Sequence, residues 1–355
     1  MASEPEVTAA QTRATLEDYL NRWAGQDEQR RATAETIQRM CNAAAEISRQ
    51  IGWGPLGGQI AGEMDGENAA GDTQKKLDVT ANELLLDALR KAPVAYYASE
   101  EDEQVQKLDP AAPISVAVDP LDGSSNIELN VSIGSIFSVY PTSQGGAESS
   151  LFRPGREQIA AGYFVYGPHT SLMITLGEGT DPYVLDPRTL QFRLVERGIA
   201  IPQETKEFAI NVSNYKEWYP PIRAFVDDLL EGEAGPRGKK FNMRWVASLV
   251  AEVHRIMMRG GVFLYPNDQR RGYQNGRLRL IYEAAPMALL TEQAGGGATD
   301  GTERILDKTP VELHQRTPLV IGSLTKVERV AKYYTDPSFE RTQSPLFAER
   351  GLFRS

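Results

Sequence analysis

The segment Val118-Asp119-Pro120-Leu121-Asp122-Gly123-Ser124-Ser125-Asn126 carries the densest chemistry in the chain. The pattern predicts an apolar strand that delivers Asp119 at its end, a stop at Pro120, and a turn through Leu121 that returns Asp122 beside Asp119. Two carboxylates and the Leu121 carbonyl can then converge on a hard cation, which prefers oxygen ligands. Gly123 admits a bulky anion against the backbone. Ser124, Ser125 and the amides after them can donate to phosphate oxygens, above all if a helical turn starts there. Glu100 and Glu101, in Ser99-Glu100-Glu101-Asp102-Glu103, directly follow another apolar run. They stand at a strand end as Asp119 does, and share its sheet edge if the two strands are neighbours. Glu283, in Leu280-Ile281-Tyr282-Glu283-Ala284-Ala285-Pro286, is expected to end a strand and open a helix whose first turn tolerates Pro286. Asp78 follows Lys75-Lys76-Leu77 near a helix start. Singly, these acids have plain readings as a solvated face, a dipole partner or a helix cap. Gathered together they repel and raise one another's pKa unless cations bind. The set therefore predicts a site for two or more divalent ions that clamps a phosphoryl group, activates water and neutralises the leaving oxygen.

The elements that must position these residues follow from periodicity. Leu16, Tyr19, Leu20 and Trp23 recur at helical spacing, as do Ile37, Met40, Cys41, Ala44, Ile47 and Ile51. Residues 53–75 are acidic and glycine-rich, and read as a long loop without regular structure, a lid that carries Asp72. A helix is expected over 79–91. Strands are expected at 94–98, 114–118, 133–140, 159–166 and 170–176, where β-branched and aromatic residues lie between Gly, Pro and Asp. A polar stretch near 200–207 is a candidate linker. Beyond it, helices near 217–231, 245–259, 284–294 and 324–335 alternate with strands near 261–265, 277–282 and 318–322. The fold class is thus α/β, with an α+β N-terminal half and an α/β C-terminal half. The expected division is 1–205, 206–340 and a tail at 341–355. Gly295-Gly296-Gly297 reads as a helix C-cap and turn, and His254, on a helical apolar stripe, as packing or interface.

Composition narrows the functional classes. The chain of 355 residues exceeds the ~250–300 that one core usually serves, which favours two domains. A net charge of −10 argues against nucleic acid and anionic lipid as partners, so an anionic substrate needs a metal or an Arg/Lys cluster to gather it. No apolar stretch approaches the ~20 residues of a membrane span, and the first residues lack the features of a secretory signal. Cys41 is the single cysteine, so an intrachain disulfide is excluded and a reducing, cytoplasmic setting is expected.

The ordered set of motifs resembles class I fructose-1,6-bisphosphatase, a member of the metal-dependent sugar-phosphatase superfamily with a layered fold. The matching pieces run from Gly71-Asp72-Thr73-Gln74-Lys75-Lys76-Leu77-Asp78 through Ser99-Glu100-Glu101-Asp102 and Asp119-Pro120-Leu121-Asp122-Gly123-Ser124-Ser125. They continue in Gly260-Gly261-Val262-Phe263-Leu264-Tyr265-Pro266 and Gly276-Arg277-Leu278-Arg279-Leu280-Ile281-Tyr282-Glu283, and end at His314-Gln315-Arg316. The resemblance implies Mg²⁺-dependent hydrolysis of the 1-phosphate of fructose 1,6-bisphosphate, with Mn²⁺ as a possible substitute. Glu100, Asp119, the Leu121 carbonyl, Asp122 and Glu283 would hold the metals, with Asp72 approaching from the lid. Asp78 and Glu101 would help deprotonate the attacking water. Asp122, Gly123, Ser124 and Ser125 would surround the 1-phosphate. Asn211, Tyr215, Trp245, Tyr265 and Arg277 would surround the 6-phosphate, joined by Arg244 from a neighbouring subunit of a homotetramer. Trp245 stands where the family usually has tyrosine and Arg277 where it has lysine. Sedoheptulose 1,7-bisphosphate is therefore an alternative substrate, and a non-catalytic phosphosugar-binding protein a more distant one. The pathway stays open between gluconeogenesis and carbon fixation. The family's AMP pocket, between the first two helices, uses a glycine-flanked threonine turn, a Lys-Tyr pair and an Arg. Here Pro113-Ile114 and Pro141 occupy the pair and Arg positions, and Gln29-Arg30-Arg31-Ala32-Thr33 supplies no glycine pair, with Arg30 or Arg31 as possible compensators.

Overall fold

The structure, a computed structural model, describes residues 13–57, 63–67 and 73–336. Asp72, the lead at 1–11 and the tail at 341–355 lie outside the described residues. Helix α1 (Leu16–Ala24) is capped by the Thr15 hydroxyl and α2 (Glu28–Trp53) by the Asp27 carboxylate. The expected unstructured loop at 53–75 is corrected in part: β1 (Glu63–Glu67) pairs antiparallel with β2 (Thr73–Lys75), which leads into α3 (Lys76–Leu89).

Eight strands form the first sheet. They are β3 (Val94–Ser99), β4 (Gln106–Lys107), β5 (Ile114–Asp122), β6 (Ile133–Pro141), β7 (Ala160–Tyr166), β8 (Thr170–Thr175), β9 (Thr180–Asp186) and β10 (Gln191–Leu194); a short helix α4 (Ala147–Leu151) follows β6. Their order is β10-β9-β8-β7-β6-β5-β3-β4, antiparallel throughout except for the parallel pair β3–β5.

The second sheet has the order β12-β11-β13-β17-β15. Its strands are β11 (Glu207–Ala209), β12 (Asn242–Arg244), β13 (Val262–Tyr265), β15 (Gly296–Thr299) and β17 (Leu319–Ser323). Between and after them come α5 (Pro220–Leu230), α6 (Leu249–Arg259), α7 (Ala285–Gln293) and α8 (Leu324–Thr335). A two-residue strand β14 (Leu278–Arg279) pairs with β16 (Arg316–Thr317).

Alternation along the strands sorts side chains into layers. On β6, Phe137 and Val139 face the core shared with Leu20, Ile37, Met40 and Leu85 of α1–α3, while Ile136 faces the opposite way. That second face packs on α6 and α7 through Val250, Val253, Met287 and Leu290, which also meet Phe263 and Ile321 of the second sheet. The outer face of the second sheet, with Val262, Leu264 and Val320, is covered by Phe225 of α5 and Val330 of α8. The result is five layers, helix–sheet–helix–sheet–helix. Each Leu, Ile or Phe buried in them contributes ~1.5–3 kcal/mol relative to exposure. Cys41 is buried in the first core. His254 packs edge-on against Tyr163, with Nδ1 3.3 Å from its hydroxyl. No described helix is long and apolar enough to cross a membrane.

Two elements near the acids differ from the sequence reading. Strand β5 does not stop at Pro120 but runs to Asp122. Asp119 lies opposite Ile136 and Asp122 opposite Gly134, so three steps on β5 answer two on β6. This is a bulge, where proline's missing N–H costs no ladder bond. The strand expected at 277–282 is only Leu278–Arg279; Leu280–Ala284 form one buried turn of π-helix before α7.

Candidate active site

The parallel pairing of β3 with β5 sets Ser99 beside Val118, and the Glu100 amide donates to the Val118 carbonyl at 3.1 Å. Glu100 and Asp119 thereby share one sheet edge, as expected for neighbouring strands. The β5 bulge turns Asp119 and Asp122 to the same side. The π-turn brings Glu283 to them from the other half of the chain. Carboxylate oxygens of Asp119, Asp122 and Glu283 lie within 4.8 Å of one another, and all three residues are buried. π-Turns recur at functional sites because the extra residue redirects a side chain without ending the helix.

Each carboxylate is held. Asp119 Oδ1 accepts the Leu121 amide at 3.0 Å. Asp122 Oδ2 accepts the Val250 amide at 2.9 Å and the Ser248 hydroxyl at 3.1 Å, both at the start of α6. Glu283 Oε2 accepts the Arg279 amide at 2.6 Å. The Arg279 guanidinium reaches Glu100 at 2.9 Å and stands 4.0 Å from Glu283.

The charges remain poorly compensated. Burial pushes Glu283 up to about 8, reinforced by Glu100. Burial pushes Glu100 up to about 7 against the pull of Arg279, and Asp122 up to about 6 against its amide and hydroxyl donors. Asp119 is raised well above the carboxylate range by burial, then by Glu100, Asp122 and Glu283. An all-oxygen, mutually repelling, buried donor set fits hard divalent cations, which would relieve the repulsion and hold the acids ionised.

These acids floor a cleft of about 570 Å³. Asp78, in the first turn of α3 rather than at its cap, and Glu101 join Glu100, Asp119, Leu121, Asp122 and Glu283 in lining it. Gly123 follows at φ 77°, where an added Cβ would come within 2.9 Å of Ser248 Cβ. The 3₁₀ turn Ser124–Asn126 then starts, and its opening amides have no acceptor within the turn. The Asn126 amide group ties this turn to the Ala247 carbonyl at 3.0 Å. Ala247 holds a positive φ of 62°, a conformation that costs about 1–2 kcal/mol for a residue with a Cβ.

At the far end, Asn211, Trp245, Tyr265 and Arg277 line the same cleft. Trp245 stacks on Phe263 at 6.1 Å and on Tyr265 at 6.0 Å, forming a flat aromatic wall. Two expected members do not line the cleft. The buried Tyr215 turns its hydroxyl to Asp227, donating at 2.7 Å, and packs in the core of the second sheet. Arg244 lies on the fully exposed edge strand β12. Arg279 and Ser248 escaped the sequence reading. Arg279 had a usable signal: it sits two residues after Arg277, and strand spacing of two puts both on one side.

The chain resembles one family along most of its length. The sequence model described as "Fructose-1-6-bisphosphatase, N-terminal domain" matches residues 15–197, and that described as "Fructose-1-6-bisphosphatase, C-terminal domain" matches residues 201–335. A fructose-1,6-bisphosphatase class 1 of Rhodopseudomonas palustris (strain BisB18) is 52% identical over 341 residues, covering 96% of this chain and 98% of the relative. One of Sinorhizobium medicae (strain WSM419) is 50% identical over 346 residues, covering 96% and 99%. Among solved structures, the Leishmania major fructose-1,6-bisphosphatase in holo form superposes with a TM-score of 0.84 at 33% identity, over 91% of this chain and 99% of that one. Its apo form gives 0.80 at 31% identity, over 91% and 100%. With an acidic cleft at a strand-end bulge and these relatives matched nearly end to end, the chain belongs to the class 1 fructose-1,6-bisphosphatase family.

Proposed function

We propose that the chain hydrolyses the 1-phosphate of fructose 1,6-bisphosphate to fructose 6-phosphate and inorganic phosphate, using Mg²⁺, with Mn²⁺ as a substitute. The observation that carries this reading is the convergence of Asp119, Asp122 and Glu283 beside the amide-rich turn at Gly123–Asn126, in one cleft with Arg277 at its other end. Glu100, Asp119, the Leu121 carbonyl, Asp122 and Glu283 would hold the metals; the role of Asp72 rests on the sequence resemblance alone. Bound there, divalent ions supply charge neutralisation to the phosphate oxygens.

The remaining work falls to the chain's own groups. Gly123, Ser124 and Ser125 orient the 1-phosphate. Asp78 and Glu101, at the edge of the acidic floor, take the proton of the attacking water as its oxygen bonds to phosphorus. The sugar oxygen leaves with the P–O electron pair and is protonated. Asn211, Tyr265 and Arg277 grip the distal phosphate, and Trp245 closes the wall beside it. Residues 1–205 supply most of the acids and 206–340 the distal grip. Arg244, on its exposed edge, serves a neighbouring subunit's cleft in a homotetramer. The single buried cysteine suits work in a reducing cytoplasm.

Phosphate release on fructose 1,6-bisphosphate and sedoheptulose 1,7-bisphosphate, measured side by side, tests the reading. Turnover of the first should need Mg²⁺, vanish with a chelator and return on adding the metal back. Comparable turnover of the second would make the enzyme dual-specific. Release from neither would sink the assignment.

A further inference from the structure

The distal end of the cleft has an arginine that must be held still. An arginine side chain has many rotamers, and its planar fork is useful to a phosphate only if the fork is aimed. Arg277 Nη1 donates to the Tyr273 hydroxyl at 3.0 Å, and its guanidinium carbon lies 5.3 Å from the centre of the Tyr273 ring. The same ring is fixed by a second guanidinium, that of Arg270, at 4.3 Å.

Arg270 is itself clamped to the buried Asp268, with Nη2 to Oδ2 at 2.5 Å and Nε to Oδ1 at 3.0 Å. The backbone closes the same loop. Asp268 donates its amide to the Tyr273 carbonyl at 3.2 Å, and Tyr273 donates to the Arg270 carbonyl at 3.1 Å. Gly276, at φ 83° and pressed so close to Thr317 that a Cβ would meet its carbonyl carbon at 2.2 Å, fixes the turn between Tyr273 and Arg277. The chain therefore builds a rigid stack, Asp268–Arg270–Tyr273, whose last hydroxyl receives Arg277.

Resting on the bisphosphate reading above, we propose that Tyr273 is a positioning residue for distal-phosphate recognition, holding the Arg277 fork toward the cleft. Tyr215, a tyrosine expected at this end, has its hydroxyl spent on Asp227. Tyr273 acts through Arg277, so its effect must be confined to substrates with a distal phosphate.

Kinetics on fructose 1,6-bisphosphate and on fructose 1-phosphate, which lacks the distal phosphate, test this. A hydrogen bond involving a charged group, at roughly 1.5–3 kcal/mol, corresponds to a rise in KM of about 10–150-fold; partial retention of Arg277 by the ring makes about 5–20-fold the expectation for Tyr273→Phe. Its kcat should stay near wild type, and its kcat/KM on fructose 1-phosphate should not change. Tyr273→Leu, which removes ring and hydroxyl together, should raise KM further. In an Arg277→Met background Tyr273→Phe should have no further effect. Equal losses on both substrates, additive effects of the two substitutions, or an unchanged KM would overturn the assignment. If the wild type shows no preference for the bisphosphate over fructose 1-phosphate, the functional reading fails first and takes this one with it.

Discussion

At Asp119 the fold stores an electrostatic cost that shows without any substrate. Its folded pKa is raised, as are those of Asp122 (about 6), Glu100 (about 7) and Glu283 (about 8), all chiefly by burial. Unfolded carboxylates titrate near 4. Between these limits the native state binds more protons than the unfolded state, so stability falls as pH rises. The contribution is fully present below about pH 4 and is lost as pH passes the folded values. The metal-free protein should thus melt at lower temperature at pH 8.5 than at pH 5.5. Added Mg²⁺ should raise the melting temperature more at the higher pH, where the acids are ready to bind it. Asp119→Asn keeps an acceptor for the Leu121 amide but removes one of the repelling charges. At pH 8 it should melt a few degrees higher than wild type without metal, while Mg²⁺-dependent phosphate release falls by at least about 10²–10³. Calorimetry and a phosphate assay on one preparation check both halves. Turnover near wild type would sink the metal role, and a lower melting temperature would sink the repulsion.

Helix α2 bears on the AMP option at the level of an element. The Asp27 carboxylate accepts the Arg30 amide at 2.8 Å, so an acid already occupies the end of the helix where a phosphate would sit. The arginines that could compensate are committed elsewhere: Arg31 to Gln26 at 2.6 Å and Arg30 over the Trp23 ring at 5.2 Å. Missing charged contacts worth roughly 1.5–3 kcal/mol each should move half-inhibition by AMP from micromolar toward the millimolar range. A titration of activity against AMP at saturating Mg²⁺ decides it, and half-inhibition at low micromolar AMP would show that another grip exists. The elements most legible in sequence were those with strong periodicity. Met40 and Ile47 marked α2, and Val116 and Val118 marked β5. Those missed had reasons. Gly296 and Gly297 open β15 because neighbours leave no room, an added Cβ on Gly296 meeting the Gly322 carbonyl oxygen at 2.5 Å, and glycines carry no strand signal. Strand β9 contains Asp181 and Pro182, and β12 is exposed at every position, so neither alternates. In the site, Glu100 and Asp119 were legible from the apolar runs that end at them, whereas Glu283, expected at a strand end, lies on a π-turn. The fate of Tyr215 was not legible, because only packing reveals that Asp227 takes its hydroxyl.

For the whole molecule, the proposal that Arg244, on its exposed edge strand, completes a neighbouring subunit's cleft has its own test. Arg244→Ala and Asp119→Asn should each be nearly inactive on the bisphosphate as pure preparations. Mixed oligomers, formed by co-expression with two affinity tags, should regain a measurable fraction of activity, since some clefts then pair an intact acidic floor with an intact borrowed arginine. Mixtures no more active than their parents would place Arg244 outside the neighbouring cleft. The acidic floor is also split along the chain: Asp119 and Asp122 come from β5, while Glu283 arrives on a π-turn from the other half of the sequence. A ribosome that stalls between those points releases a fragment with only part of this acidic cluster. Such a product carries Asp119 and Asp122 without their third acid, so the floor of the cleft can assemble only once translation has passed Glu283.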